Sequence, residues 1–178
     1  MMRVLRGRHA LARPLRRAVV TIGMFDGVHL GHQRLIRTTV RFAKRLQGTS
    51  VVLTFDPDPQ HILQPRHAQL CVMPLEARVR LIKKLGVDVV WVIPFTRQFS
   101  RISAEQFVRT ILSARLGASC AVVGENFAFG NSRRGNLELL RRLGRRHGMR
   151  VVVVPPVLRG GESVSSSRIR RLIQQGEL

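Results

Sequence analysis

Short runs of β-branched and apolar residues alternate with segments of helical periodicity from one end of the chain to the other. No other feature constrains the fold as much. A strand followed repeatedly by a helix closes most simply as βα units around a mainly parallel sheet. Ala18-Val19-Val20-Thr21-Ile22 stops at Gly23 and reads as the first strand. Leu30 to Leu46 carries Leu35, Ile36, Val40, Ala43 and Leu46 near helical spacing, with Gly48 as a stop. Ser50 to Phe55 is a second strand, closed by Asp56-Pro57-Asp58-Pro59, which cannot continue a ladder. Residues 60 to 73 read as an irregular excursion. Pro74 then opens a helix that runs to Leu85.

The pattern repeats three times more. Val87 to Ile93 is a third strand, and Ser103 with Gln106 makes a capping box for a helix that ends near Leu116. Ser119 to Val123 is a fourth strand, and Asn136 is placed to cap a helix from Leu137 to His147. Met149 to Val154 is a fifth strand, stopped by Pro155-Pro156. A last helix follows Ser165-Ser166-Ser167 and runs to Gln175. The expectation is an α/β, doubly wound, mainly parallel five-stranded sheet in a single domain over residues 1–178. Ligands of such sheets bind beyond the carboxyl ends of the strands, where the strand order switches.

Charge bears on what the ligand is. Lys and Arg number 31 against 10 acids, a net +21. A basic surface suits nucleic acid, but it equally suits a polyphosphate site on an Arg-rich background. Arg is spread over the whole chain, Tyr is absent and aromatics are 5%, so platforms for stacking bases are scarce. Specific nucleic-acid binding is therefore not expected, although salt-sensitive, non-specific affinity follows from charge alone. The first 17 residues hold six Arg and no acid. That composition fits a transit peptide, but it lacks Ser and an amphipathic stripe, and it reads better as a lead-in to the fold. No apolar run approaches the roughly 20 residues of a membrane span. Cys71 and Cys120 are far apart, without partners at zinc-like spacing. The expected setting is the cytoplasm, and nothing bears on the oligomeric state.

The chemistry concentrates in Gly23-Met24-Phe25-Asp26-Gly27-Val28-His29-Leu30-Gly31-His32, where the first strand passes into the first helix. Gly23, Gly27 and Gly31 permit tight turns and close approach of backbone to a ligand. A helix start offers free N–H groups and the positive end of a dipole. His29 and His32, three apart, would share a helical face and donate to a triphosphate. The segment is neither the dinucleotide Gly pattern nor a P-loop. By themselves these residues imply ATP and nucleotidyl transfer, with the acceptor open.

Four segments in order resemble the bacterial FAD synthetases, members of the nucleotidylyltransferase superfamily with the His-x-Gly-His signature. They are Thr21 to His32, Thr54-Phe55-Asp56-Pro57-Asp58-Pro59, Val123-Gly124-Glu125-Asn126-Phe127-Ala128-Phe129-Gly130 and Val164-Ser165-Ser166-Ser167-Arg168-Ile169-Arg170. Arg6-Gly7-Arg8-His9-Ala10-Leu11 looks like the family's opening. The resemblance covers essentially the whole chain and implies a Rossmann-like nucleotidylyltransferase fold. It implies transfer of AMP from ATP to FMN, with magnesium accompanying ATP, and no riboflavin kinase module in residues 1–178.

By the same resemblance, His29, His32, Ser166, Ser167 and Arg170 would carry catalysis at the phosphates and the leaving pyrophosphate. Gly23, Phe25, Asp26, Gly27, Gly31, Phe55, Pro57, Gly124, Asn126, Phe127 and Phe129 would line the nucleotide and flavin sites. Metal ligands are not indicated. The family often has Arg where Ala128 stands, and His or Gln where Asp58 stands. An acid at 58 repels an acceptor phosphate unless magnesium or an Arg intervenes. Two other readings stay open: transfer to a different phosphorylated acceptor, and a non-catalytic basic nucleotide-binding protein.

Overall fold

A computed structural model of the protein describes residues 2–177. Strands β1 (Arg3–Arg6), β2 (Ala18–Ile22), β3 (Ser50–Asp56), β4 (Val89–Pro94), β5 (Ala118–Gly124) and β6 (Arg150–Val154) form one sheet in the order β1-β4-β3-β2-β5-β6. Every pairing in it is parallel. The sheet thus has six strands where five were expected. The additional one, Arg-Val-Leu-Arg, is short and basic and carries no β-branched run, so it reads as a lead-in. As an edge strand it pairs only with β4, and charged, exposed residues suit an edge.

The helices are α1 (Leu30–Arg45), α2 (Pro59–Leu63), α3 (Leu75–Lys84), α4 (Arg97–Ser100), α5 (Ala104–Gln106), α6 (Leu137–Arg146) and α7 (Ser166–Gln175). The expected helix from Ser103 to Leu116 begins as α5 and continues as a π-helix over Phe107–Arg115. Ser103 accepts from the Gln106 N–H and Asn136 from the Leu139 N–H, as their spacing predicts. The excursion after β3 contains α2 and a 3₁₀ turn at Pro65–His67. A two-stranded hairpin, β7 (Leu158–Arg159) with β8 (Glu162–Ser163), precedes α7 and has no counterpart among the expected elements.

Alternation along the strands decides the layering. Val20, Val51, Leu53, Trp91, Ala121 and Val123 face the π-helical stretch and α6, meeting Val108, Ile111, Leu112, Leu140 and Leu143. On the other face, Val52, Val90 and Val92 meet Ile36 of α1 and Leu75 and Ile82 of α3. Val19, Cys120 and Val122 meet Ala43 of α1. Each buried Val, Leu or Ile among them contributes roughly 1.5–3 kcal/mol on burial. Trp91 is fully buried, and its Nε1–H donates to the Gly7 carbonyl at 2.8 Å, tying the end of β1 into the core.

The chain runs outward through β2, β3 and β4, then crosses back to β5 and β6. The strand order therefore switches between β2 and β5, and their carboxyl ends lie side by side. A ligand crevice belongs there.

Candidate active site

Beyond β2 the chain makes a strained turn. Phe25 sits in the left-handed region at φ 53°, Gly27 at φ 80° and Val28 at φ 38°. Positive φ is costly for a β-branched residue and persists only where the surroundings impose it. His29 then leaves the turn in extended backbone and caps α1. Its Nδ1 accepts from the His32 N–H at 3.4 Å. An accepting ring nitrogen is unprotonated, so the neutral ring carries its proton on Nε2.

The two histidines do not share a helical face. Because His29 stands outside the helix, its ring folds flat over that of His32, with centroids 3.6 Å apart at 22°. Gly31 makes the stacking feasible, since a Cβ there would lie 3.2 Å from the His29 ring. Phe25 is buried in the core, and its ring edge meets His32 with centroids 5.3 Å apart. It props the pair from below and presents no free face.

Asp26 is the hub of the turn. It is 2% exposed, and its carboxylate accepts from the Val72 N–H at 2.9 Å, the Met73 N–H at 3.2 Å and the Arg170 guanidinium at 2.7 Å. Its carbonyl accepts from the Ser166 hydroxyl at 2.9 Å. Arg170 also donates to the Leu70 carbonyl and to Gln69 Oε1. The start of α7, the 69–73 strap and the turn are thereby joined at one carboxylate. Ser165 caps α7, and Ser167 is exposed at its first turn. Gly23 and Gly27 complete the turn beneath these groups.

The segments after β3 and β5 supply an aromatic surface. Phe55, Phe95 and Phe99 form mutual contacts, with centroids 5.7 to 5.8 Å apart. Contacts run on through Phe107 to Phe129, which stacks on Phe127 at 5.4 Å. Phe55, Phe95 and Phe127 keep partly exposed faces, whereas Phe129 is buried. Pro57 and Asn126 are exposed at the rim, and Gly124 closes the turn that receives the Phe127 N–H. The Asp58 carboxylate accepts from the Gln60 N–H at 2.8 Å and caps α2.

Several residues of this site escape the sequence reading. The strap acts through backbone N–H groups at Val72 and Met73, which leave no side-chain signature. Phe95 and Phe99 join the other aromatics only through the fold. Arg78, buried under the turn, had a legible signal: a cation on the apolar stripe of α3 between Leu75 and Ile82.

Burial favours the neutral form of both histidines. Burial lowers the His29 pKa, with Asp26 opposing in part. Burial, then the His29 ring, then Arg78 push His32 down to about 3 from its ordinary 6.5. Between those two values the unfolded chain binds the proton that the folded chain refuses. Stability contributed by the neutral ring is therefore present above about 6.5 and lost as pH falls toward about 3. The thermal midpoint should drop between pH 7 and pH 5, and His32→Gln should flatten that slope. An unchanged slope in the variant would rule out His32 as the titrating group.

Among the described residues, no group of three His, Cys, Asp or Glu is arranged to hold a metal ion. No helix among them is long and apolar enough to cross a membrane.

Residues 12–168 match the family model described as FAD synthetase. A bifunctional riboflavin kinase/FMN adenylyltransferase from Buchnera aphidicola (Schizaphis graminum strain) is 30% identical over 99% of this chain and 57% of its own length. The protein of the same description from Listeria monocytogenes is 37% identical over 90% of this chain and 51% of its own. The chain thus spans little more than half of these relatives. A solved Streptococcus pneumoniae structure, described as a macrolide-efflux protein, superposes with a TM-score of 0.87 at 30% identity over 99% of this chain and 59% of its own. Pantoate-beta-alanine ligase from Francisella tularensis, at a TM-score of 0.62 and 15% identity, shares the fold.

Proposed function

The chain belongs to the FAD synthetase family, and from that premise we propose that it is an FMN adenylyltransferase, making FAD and pyrophosphate from ATP and FMN. The observation that carries this reading is the stacked His29–His32 pair at the start of α1, following β2, with the partly exposed Phe55, Phe95 and Phe127 at the carboxyl ends of neighbouring parallel strands of the same sheet. One side of the crevice suits a polyphosphate, and the other suits a flat apolar ring.

In the proposed reaction an FMN phosphate oxygen attacks the α-phosphorus of magnesium-bound ATP. The bond from that phosphorus to the bridging oxygen breaks, and pyrophosphate leaves with the electron pair. The attacking oxygen is already anionic, so positioning and charge stabilisation supply most of the rate. His29 and His32 serve the α- and β-phosphates as neutral donors. Ser167 and the free N–H groups of α7 receive the departing pyrophosphate. Ser166 and Arg170 hold α7 against the turn through Asp26, and the charge of Arg170 favours the same anion.

Gly23, Gly27 and Gly31 let the backbone close on the nucleotide. Phe25 and Asp26 support it from within. Phe55, Pro57, Gly124, Asn126, Phe127 and Phe129 form the acceptor side. Asp58 caps α2 through its carboxylate, which keeps its charge on the acceptor side. Magnesium would accompany ATP as part of the substrate and offset its phosphate charge. Residues 1–178 act as one transferase unit in the cytoplasm.

Incubation with ATP, FMN and magnesium, followed by chromatography, should yield FAD and pyrophosphate in equal amounts. Riboflavin should give no product, and chelator should abolish the reaction. Pyrophosphate release with another phosphorylated acceptor but not FMN would overturn the choice of acceptor.

A further inference from the structure

Arg78 projects from α3 into the apolar layer that holds Phe25, Val28, Ile36, Val52 and Val90. It is 4% exposed. Its Nη1 donates to the Met24 carbonyl, which the Thr54 hydroxyl also approaches at 3.3 Å. Its Nε is buried without a partner, and no carboxylate forms an ion pair with it among the described residues. A guanidinium stays charged in a protein. Burying one without a counter-charge is costly and persists where something else benefits from the field.

We propose that Arg78 is a positioning residue of the phosphate site. It clamps the Met24–Phe25 turn from below and sets a fixed positive charge behind His32, which the polyphosphate of ATP completes from the other side. The assignment of the ligand rests on the function proposed above. The clamp rests on the hydrogen bond to Met24 and on the burial of Arg78.

The clamp acts at the residue before Phe25, whose left-handed backbone starts the turn. Phe25 in turn bears on His32. The charged or titratable groups around His32 are His29 from the helix cap, Arg78 from α3 and, across His29, Asp26 with its partner Arg170. Asp26 is already neutralised by Arg170 at 2.7 Å. Arg78 is therefore the unmatched charge of the group, and its field disfavours a proton on His32 and favours an anion nearby.

The test uses Arg78→Met and Arg78→Lys in the full chain. ATP affinity is read by calorimetry, steady-state rates with FMN are measured, and the imidazole titration of His32 is followed by NMR. In Arg78→Met the His32 midpoint should rise, and kcat/KM for ATP should fall about 100-fold. Arg78→Lys should keep the wild-type midpoint and remain within about tenfold in rate. A folded Met variant with unchanged His32 titration and unchanged ATP affinity overturns the proposal, because loss of packing alone would not move either. If the Met variant does not fold, the Lys variant decides. A retained midpoint supports the fixed charge, and a raised midpoint overturns it. A wild-type protein that makes no FAD would sink the proposed function, while the His32 titration would still test Arg78.

Discussion

Replacing His29 with alanine should lower kcat by about 10²–10³-fold while changing the ATP dissociation constant far less. The asymmetry follows from the protonation state. His29 Nδ1 is occupied as an acceptor for the His32 N–H, so only Nε2–H is free to donate. In the proposed reaction a neutral donor gains little from the ground-state triphosphate. It gains more from the α-phosphoryl group as bonds to both oxygens are partly made and broken. Alanine also removes a helix cap, which costs about 1 kcal/mol of stability. His29→Ser separates the two effects, since serine caps well but cannot reach the phosphate. Steady-state rates and ATP binding on both variants check this. Equal losses in kcat and affinity, or recovery of rate in the serine variant, would reject a transition-state role.

Asp26→Ala should destabilise the fold by about 3–5 kcal/mol in urea unfolding, among the largest effects of any single exchange here. The carboxylate is 2% exposed and Arg170 only 17%, so the substitution strands a partly buried cation and two backbone donors. Arg170→Ala should cost less, because it leaves a carboxylate still bonded to Val72 and Met73. The double variant should fall short of the sum of the singles by more than about 1 kcal/mol, as groups in one network do. Additive losses would mean that the two side chains do not support each other. Activity should suffer in both variants through ATP affinity, since the turn and the start of α7 lose their common anchor.

The parts legible in the sequence are those whose physics is local. Ala18–Ile22 and Ser50–Asp56 announce themselves as strands because β-branched runs end at Gly or Pro. β1 does not, because its stability comes from pairing with β4 and from the bond between Trp91 and Gly7. The phosphate turn was legible as a motif, but not the stacking of its two imidazoles, which requires His29 to stand outside the helix. Asp26 stood out in the sequence as an acid inside that motif. Its ties to residues near 70 and 170 were not, because bonds across such separations depend on the whole fold. Asp58 read as a charge in a rigid turn, and its place as the cap of α2 depends on the backbone that follows.

Trp91 has a use of another kind. It is the single tryptophan of a chain without tyrosine. It lies in the same apolar layer as Phe55, Phe95, Phe99 and Phe127, fully enclosed and fixed by its bond to Gly7. Ultraviolet emission from this protein therefore comes from one indole in one environment. A flavin seated on the aromatic surface absorbs where that indole emits. Under the proposed function, occupancy of the acceptor side would be an optical signal intrinsic to the chain, readable without label, coupling enzyme or product separation.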